Sequence, residues 1–130
     1  MLAYLLDTSI CVGLMRGRTV NTQMPALHEC ALSSITTAEL WTGAEKSAQP
    51  ELRRLDVEKF LALFTLVSFD QTAARHYGEI RAALEKKGTP IGPLDQLIAA
   101  HARSLDAALI TANAREFQRV PGLKCVAWKI

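Results

Sequence analysis

Only three of the 130 residues are cysteine, Cys11, Cys30 and Cys125, and no two form a Cys-x-x-Cys pair. An odd and widely spaced set supports neither a disulfide framework nor a zinc site, so these residues are expected as small apolar members of the interior. No Gly-x-Gly-x-x-Gly or Walker-type loop occurs, which excludes nucleotide binding of those two kinds. The serines at 9, 33 and 34 lack the glycines of a nucleophile elbow, leaving a hydrolytic triad without support. His28, His76 and His101 are scattered, with no pair at metal-ligand spacing, and each reads as a surface or internally satisfied histidine. Charge, Pro or Gly interrupts every apolar stretch well before the roughly 18 residues that a bilayer span needs, and no basic segment precedes the first apolar run. The expectation is a soluble cytoplasmic protein with no membrane partner and no export signal. Repeats and low-complexity segments are also absent.

What is present is apolar material for a real core, 49% of the chain against 22% charged residues, in a length that suits one domain spanning 1–130. A formal net charge of +2 is too small to establish a nucleic-acid partner. Its distribution says more: Arg16 and Arg18, Lys86 and Lys87, and Arg115 and Arg119 flank three segments that contain carboxylates.

Apolar runs and helical patterns alternate along the chain. The pattern predicts strands near 2–6, 31–35, 65–69, 107–111 and 123–127, and helices over 9–16, 37–47, 51–64, 71–87 and 94–104. A turn or helix near 22–29 and a short turn near 114–118 complete it. Strands separated by helices imply crossovers, hence an α/β fold with a parallel sheet covered by helices on both faces.

That topology gathers acids. Asp7 closes the apolar run Leu2-Ala3-Tyr4-Leu5-Leu6 and is followed by Thr8 and Ser9; Glu39 follows the 31–35 strand; Asp95 opens the helix that feeds strand 107–111. All three, with Thr111, Asn113 and Glu116, are expected at the rim formed by the carboxyl ends of the strands, where open α/β sheets bind ligands. Each acid also has a structural explanation. Thr36-x-x-Glu39 reads as a capping box, Asp95 after Pro93 suits a first helical turn, and Asp7 could cap the helix that starts near Ser9. Together at one rim they would repel unless neutralised, and Mg²⁺ or Mn²⁺ suits carboxylate and water oxygens. The apolar set Cys11, Val12, Leu14, Met15, Met24, Leu27, Leu40 and Trp41 is first of all core, and part of it could form a partner-binding groove.

Leu6-Asp7-Thr8-Ser9, Thr37-Ala38-Glu39-Leu40 with Gly43-Ala44-Glu45-Lys46-Ser47, Ile91 to Ala102, Thr111 to Phe117, and Arg119-Val120-Pro121-Gly122-Leu123 carry a family resemblance in their order and spacing. At these motifs the chain resembles the PIN-domain ribonuclease toxins of the VapC type. The resemblance implies a PIN fold and an Mg²⁺-dependent endoribonuclease in which Mn²⁺ can substitute, with tRNA as the substrate class. It further implies a cognate VapB-type antitoxin, a homodimer and a toxin–antitoxin hetero-oligomer. Asp7, Glu39 and Asp95 match the family's acidic, metal-holding positions. Asn113 falls where many members carry a fourth acid or Asn, and Glu116 is a candidate to supply the missing charge. Two rivals remain at this stage: a receiver-like phosphoacceptor domain, which also gathers acids and Mg²⁺ at a sheet rim, and an RNA-binding module without catalysis.

Overall fold

Five short strands form one parallel sheet of order β3-β2-β1-β4-β5 in the structure, a computed structural model that describes residues 2–18 and 24–129. The strands are β1 (Tyr4–Leu6), β2 (Cys30–Ser33), β3 (Thr65–Val67), β4 (Ala108–Thr111) and β5 (Cys125–Ala127). The helices are α1 (Thr8–Met15), α2 (Ser34–Glu45), α3 (Pro50–Leu61), α4 (Gln71–Lys87), α5 (Pro93–Ser104) and the single turn α6 (Ala114–Phe117). The expected element near 22–29 appears as a 3-10 turn over Leu27–Glu29, while residues 22 and 23 lie outside the described residues. Among the described residues no helix is long and apolar enough to cross a membrane.

The central strand shows why the run at 2–6 is apolar throughout: a parallel strand covered on both faces has no solvent side. Successive side chains point to opposite faces. Leu5 joins a core with Ile80, Leu84 and Ile98 of α4 and α5, whereas Leu6 joins a second core with Ile10, Leu40 and Val57 of α1, α2 and α3. Cys11 and Cys30 are fully buried in that second core, as expected; Cys125 is only partly covered, and all three are free.

One boundary differs in a way that matters. Strand β2 stops at Ser33 and helix α2 starts at Ser34, not 37, because the Ser33 hydroxyl accepts the Ile35 N–H at 3.0 Å and caps the helix there. The capping box read from Thr36-x-x-Glu39 is therefore overturned. Thr36 is buried inside the helix and Glu39 lies in its second turn, where the free N–H groups of the helix start are out of reach. The remaining differences move element ends by a few residues: β1, β3 and β5 are each trimmed to three residues, α1, α3 and α5 start one residue earlier than expected, at Thr8, Pro50 and Pro93, and α3 ends at Leu61.

Ser33 also reaches across the core. Its Oγ lies 2.7 Å from Nδ1 of His101 on α5, and the ring meets Phe69 edge-on at 5.5 Å. The Ser33 hydroxyl and the imidazole share one buried hydrogen bond, whose direction follows the tautomer. His101 is thus the internally satisfied histidine anticipated from its apolar helix, and it ties α5 to the start of α2. Burial, outweighing the pull of Asp70, holds its imidazole below the ordinary histidine range. A histidine with a folded pKa below the unfolded value of roughly 6.5 stabilises fully above that pH and progressively less as pH falls below it. The melting temperature should therefore drop more between pH 7.5 and pH 5.5 in wild type than in His101→Gln; equal drops would show that His101 carries no such linkage.

Candidate active site

The order of the sheet reverses at β1 and β4, which lie side by side while their onward connections lead to opposite edges, and such a switch point opens a crevice at the carboxyl ends of the two strands. Asp7 leaves β1 there, its N–H donating to the Ile110 carbonyl at 2.9 Å. It caps α1 through Oδ1, which accepts the Thr8 N–H at 2.7 Å. Its Oδ2 accepts the hydroxyls of Thr111 at 2.6 Å and Ser9 at 3.0 Å. Those two hydroxyls are themselves oriented, since Thr111 Oγ1 accepts the Asn113 N–H at 2.9 Å and Ser9 Oγ the Ala112 N–H at 3.3 Å. A carboxylate that is only 5% exposed is thus held by three neutral donors.

Glu39 is brought to the same place by α2. Its Oε1 accepts the Thr8 hydroxyl at 2.7 Å, so the residue after Asp7 orients the second acid, and buried Thr36 lies 3.5 Å from the same hydroxyl. Asp95 comes from the first turn of α5, which opens on Pro93 without a side-chain cap. Its carboxylate lies over Gly92, where a Cβ would stand 3.4 Å from Oδ2. Partial burial, then the charges of Asp7, Glu116 and Glu39, push the Asp95 carboxyl up to about 6. Asp7, Glu116 and Glu39 thus stand near enough to Asp95 for their charges to act on it. Among the described residues, however, no three His, Cys, Asp or Glu side chains stand close enough to enclose an ion by themselves.

Glu116 contributes charge beside Asp95 and also takes a structural part that its place in the sequence did not reveal. Its Oε1 accepts the Gly92 N–H at 3.0 Å and its Oε2 the Asn113 side-chain amide at 2.6 Å. Arg119 donates to the Pro90 carbonyl of the same loop at 3.2 Å. Helix α6 thus clamps the loop that presents Asp95 and holds the exposed Asn113 by its amide N–H, so that among the described residues its amide oxygen has no hydrogen-bond partner. The sequence signal for this clamp was only the three-residue spacing of Asn113 and Glu116, and sequence reasoning did not see it. Arg16, Arg18, Lys86, Lys87 and Arg115 are exposed. Among the described residues none of these, and no other Lys or Arg, forms an ion pair with Asp7, Glu39, Asp95 or Glu116.

Next to Glu39 a groove of about 270 Å³ runs between α1, α2 and α3. Val12, Met15, Leu40, Ala44 and Val57 line it, with Arg16, Arg53 and Asp56 among its polar residues. The anticipated apolar set thus divides: Cys11 and Leu40 belong to the core, while Val12, Met15 and the edge of Leu40 also face the groove.

Residues 4–123 match the PIN domain family. The chain is 40% identical to the tRNA(fMet)-specific endonuclease VapC of Shigella flexneri and 42% identical to ribonuclease VapC2 of Haemophilus influenzae, covering 98% of this chain and 99% of each relative. Its fold superposes on a DNA-bound VapBC structure from Salmonella typhimurium with a TM-score of 0.89 and 40% identity, over 99% of this chain and 100% of that one. VapBC-1 from nontypeable Haemophilus influenzae gives 0.85 at 36% identity, over 98% of both chains. Neither a receiver domain nor an RNA-binding module without catalysis accords with relatives that are named as nucleases. The chain belongs to the PIN-domain family, among the VapC ribonucleases.

Proposed function

We propose that this chain is the ribonuclease toxin of a type II toxin–antitoxin pair, acting in the cytoplasm as a metal-dependent endoribonuclease on tRNA. One observation carries the site assignment: a buried carboxylate and a cluster of acids around it, met by hydroxyl and backbone donors but, among the described residues, by no cationic side chain. Taking such charge from water is costly without a positive partner, and a divalent cation fits an all-oxygen set of this kind. Mg²⁺ keeps several waters and needs only one or two carboxylates, which accords with acids that do not by themselves enclose an ion; Mn²⁺ suits the same oxygens.

Asp7 and Asp95 would hold the ion directly or through water, and Glu39 would position the attacking water. Asn113 would add its free amide oxygen. When bound, Mg²⁺ lowers the pKa of water and offsets the charge that develops on the phosphate and the leaving oxygen. Thr111 and Ser9 hold Asp7 Oδ2, the Thr8 N–H holds Oδ1, and the Thr8 hydroxyl orients Glu39; fixed ligands of this kind are worth one to two orders of magnitude in affinity or activity. Glu116 holds the Asp95 loop and Asn113 in register. Attack of water at phosphorus leaves 5′-phosphate and 3′-hydroxyl ends. The exposed arginines and lysines along the rim would hold RNA phosphates, a contact that sets affinity without reading sequence.

The groove beside Glu39 suits the C-terminal segment of a VapB-type antitoxin, with apolar side chains in the groove and a basic one reaching the carboxylates. Homodimers of the toxin joined to the antitoxin would form the hetero-oligomer.

Asp7→Asn should lower Mg²⁺-dependent cleavage of tRNA by at least about 10²-fold while the protein still melts cooperatively; wild-type cleavage by this variant would refute the site. Because the folded Asp95 pKa of about 6 lies above the unfolded value, the ionised group costs stability. That cost is absent below the unfolded pKa of roughly 3.9, grows as pH rises through the folded value, and is complete above it. In chelator at pH 7.5, Asp95→Asn should gain on the order of 1 kcal/mol, a figure discounted because the carboxyl is only half-buried, and a few degrees in melting temperature. The gain should shrink towards pH 4, and Mg²⁺ should raise the melting temperature of wild type more than that of the variant. Calorimetry over pH, with and without Mg²⁺, checks both. Gly43 lines the groove and a Cβ there meets nothing within 4 Å, so Gly43→Arg introduces a long cationic side chain at the groove. It should abolish co-purification with the antitoxin encoded beside this chain; undiminished co-purification would place the antitoxin elsewhere.

A further inference from the structure

We propose that the cleft between α2 and the start of α5 is a nucleobase-binding site, which takes one unstacked base of the RNA strand beside the cleaved phosphate. The proposal rests on the nuclease reading and adds to it a site for substrate selection. The cleft measures about 310 Å³ and is lined by Ile35, Ala38, Glu39, Thr42 and Leu94. The four residues of α2 stand at i, i+3, i+4 and i+7, one continuous stripe of the helix, and Glu39 is the third of them. Leu94 forms the opposite wall from the first turn of α5, directly before Asp95, and remains 46% exposed. An apolar cleft therefore adjoins Asp95 through Leu94 and includes Glu39, which puts it within reach of the nucleotide next to a phosphate held at the carboxylates.

The occupant follows from shape and edge chemistry. The volume lies at the lower end of small-molecule pockets, roughly 300–1,000 Å³, which admits a single base and no duplex. Unstacked bases of RNA loops are held in this way, with the flat face on an apolar or aromatic surface and the edge on polar groups. Ile35, Ala38 and Leu94 offer the apolar surface. The polar atoms offer acceptors: Glu39 is a carboxylate, and the Thr42 hydroxyl spends its proton on the Ala38 carbonyl at 2.9 Å, leaving lone pairs. An acceptor edge favours bases that carry an exocyclic amine, adenine, cytosine or guanine, over uracil.

The test uses the full chain, Mg²⁺ and unfractionated bacterial tRNA, with kinetics of cleavage and sequencing of the new ends. Leu94 and Thr42 are exposed, and the Thr42 hydroxyl bonds only its own helix, so Leu94→Ala and Thr42→Val should fold as wild type, which melting curves verify. Leu94→Ala should raise KM about five-fold or more with kcat within about two-fold of wild type. Thr42→Val should raise the share of cuts beside uridine above that of wild type. A wild-type KM in Leu94→Ala together with wild-type cut sites in Thr42→Val overturns the proposal. A wild-type KM with lost inhibition by the antitoxin also overturns it and gives the cleft to the antitoxin. If either occurs while Asp7→Asn is inactive, the nuclease reading stands without the cleft; an active Asp7→Asn removes the nuclease reading itself.

Discussion

Everything at the rim depends on one buried carboxylate at the end of the central strand. A parallel sheet delivers the carboxyl end of β1 into the crevice beside β4, and Asp7 there is desolvated with only neutral donors for company. Three directed hydrogen bonds keep the charge oriented but do not cancel it, and Glu39, Asp95 and Glu116 add more negative charge to the same field. The protein tolerates this arrangement because both of its cores lie elsewhere. Leu5 and Leu6, on opposite faces of β1, anchor two layers of helices whose apolar burial offsets electrostatic strain that is confined to one edge.

The surroundings of the acids are built to keep them apart yet aligned. Thr8 serves two of them at once, its N–H on Asp7 and its hydroxyl on Glu39. The Ser33–His101 bond joins the cap of α2 to α5, the two helices that carry Glu39 and Asp95. Glu116 and Arg119 hold the loop ahead of α5 from the other side. These contacts span 31, 68, 24 and 29 positions of sequence, so the site is a product of long-range closure and not of any local motif.

Much of the fold was legible because its periodicities are plain. The unbroken apolar run ending at Asp7 announces a strand covered on both faces, and the alternation of such runs with helical patterns announces crossovers. The acids at the rim follow from that topology, and the family motifs point to the same residues. Helix boundaries were less legible where two hydroxyls compete for one cap. Ser33 and Thr36 both satisfy the local grammar of a helix start, and the choice fell to Ser33, whose hydroxyl also bonds a histidine that only the folded chain brings near. Glu116 was legible only as nearby charge: that its two oxygens also hold Asn113 and the Gly92 N–H, 24 positions away, appears only in the folded chain.

Sequence alone determined the order of strands and helices, the burial of β1, the identity of the acids and the family, because these depend on residue type and spacing along the chain. Tertiary structure decided how those acids are held, which of them clamps a loop, and that a groove and a cleft open on either side of Glu39. Those features depend on distances between residues that are far apart in sequence, and no pattern of neighbours encodes a distance across the sheet.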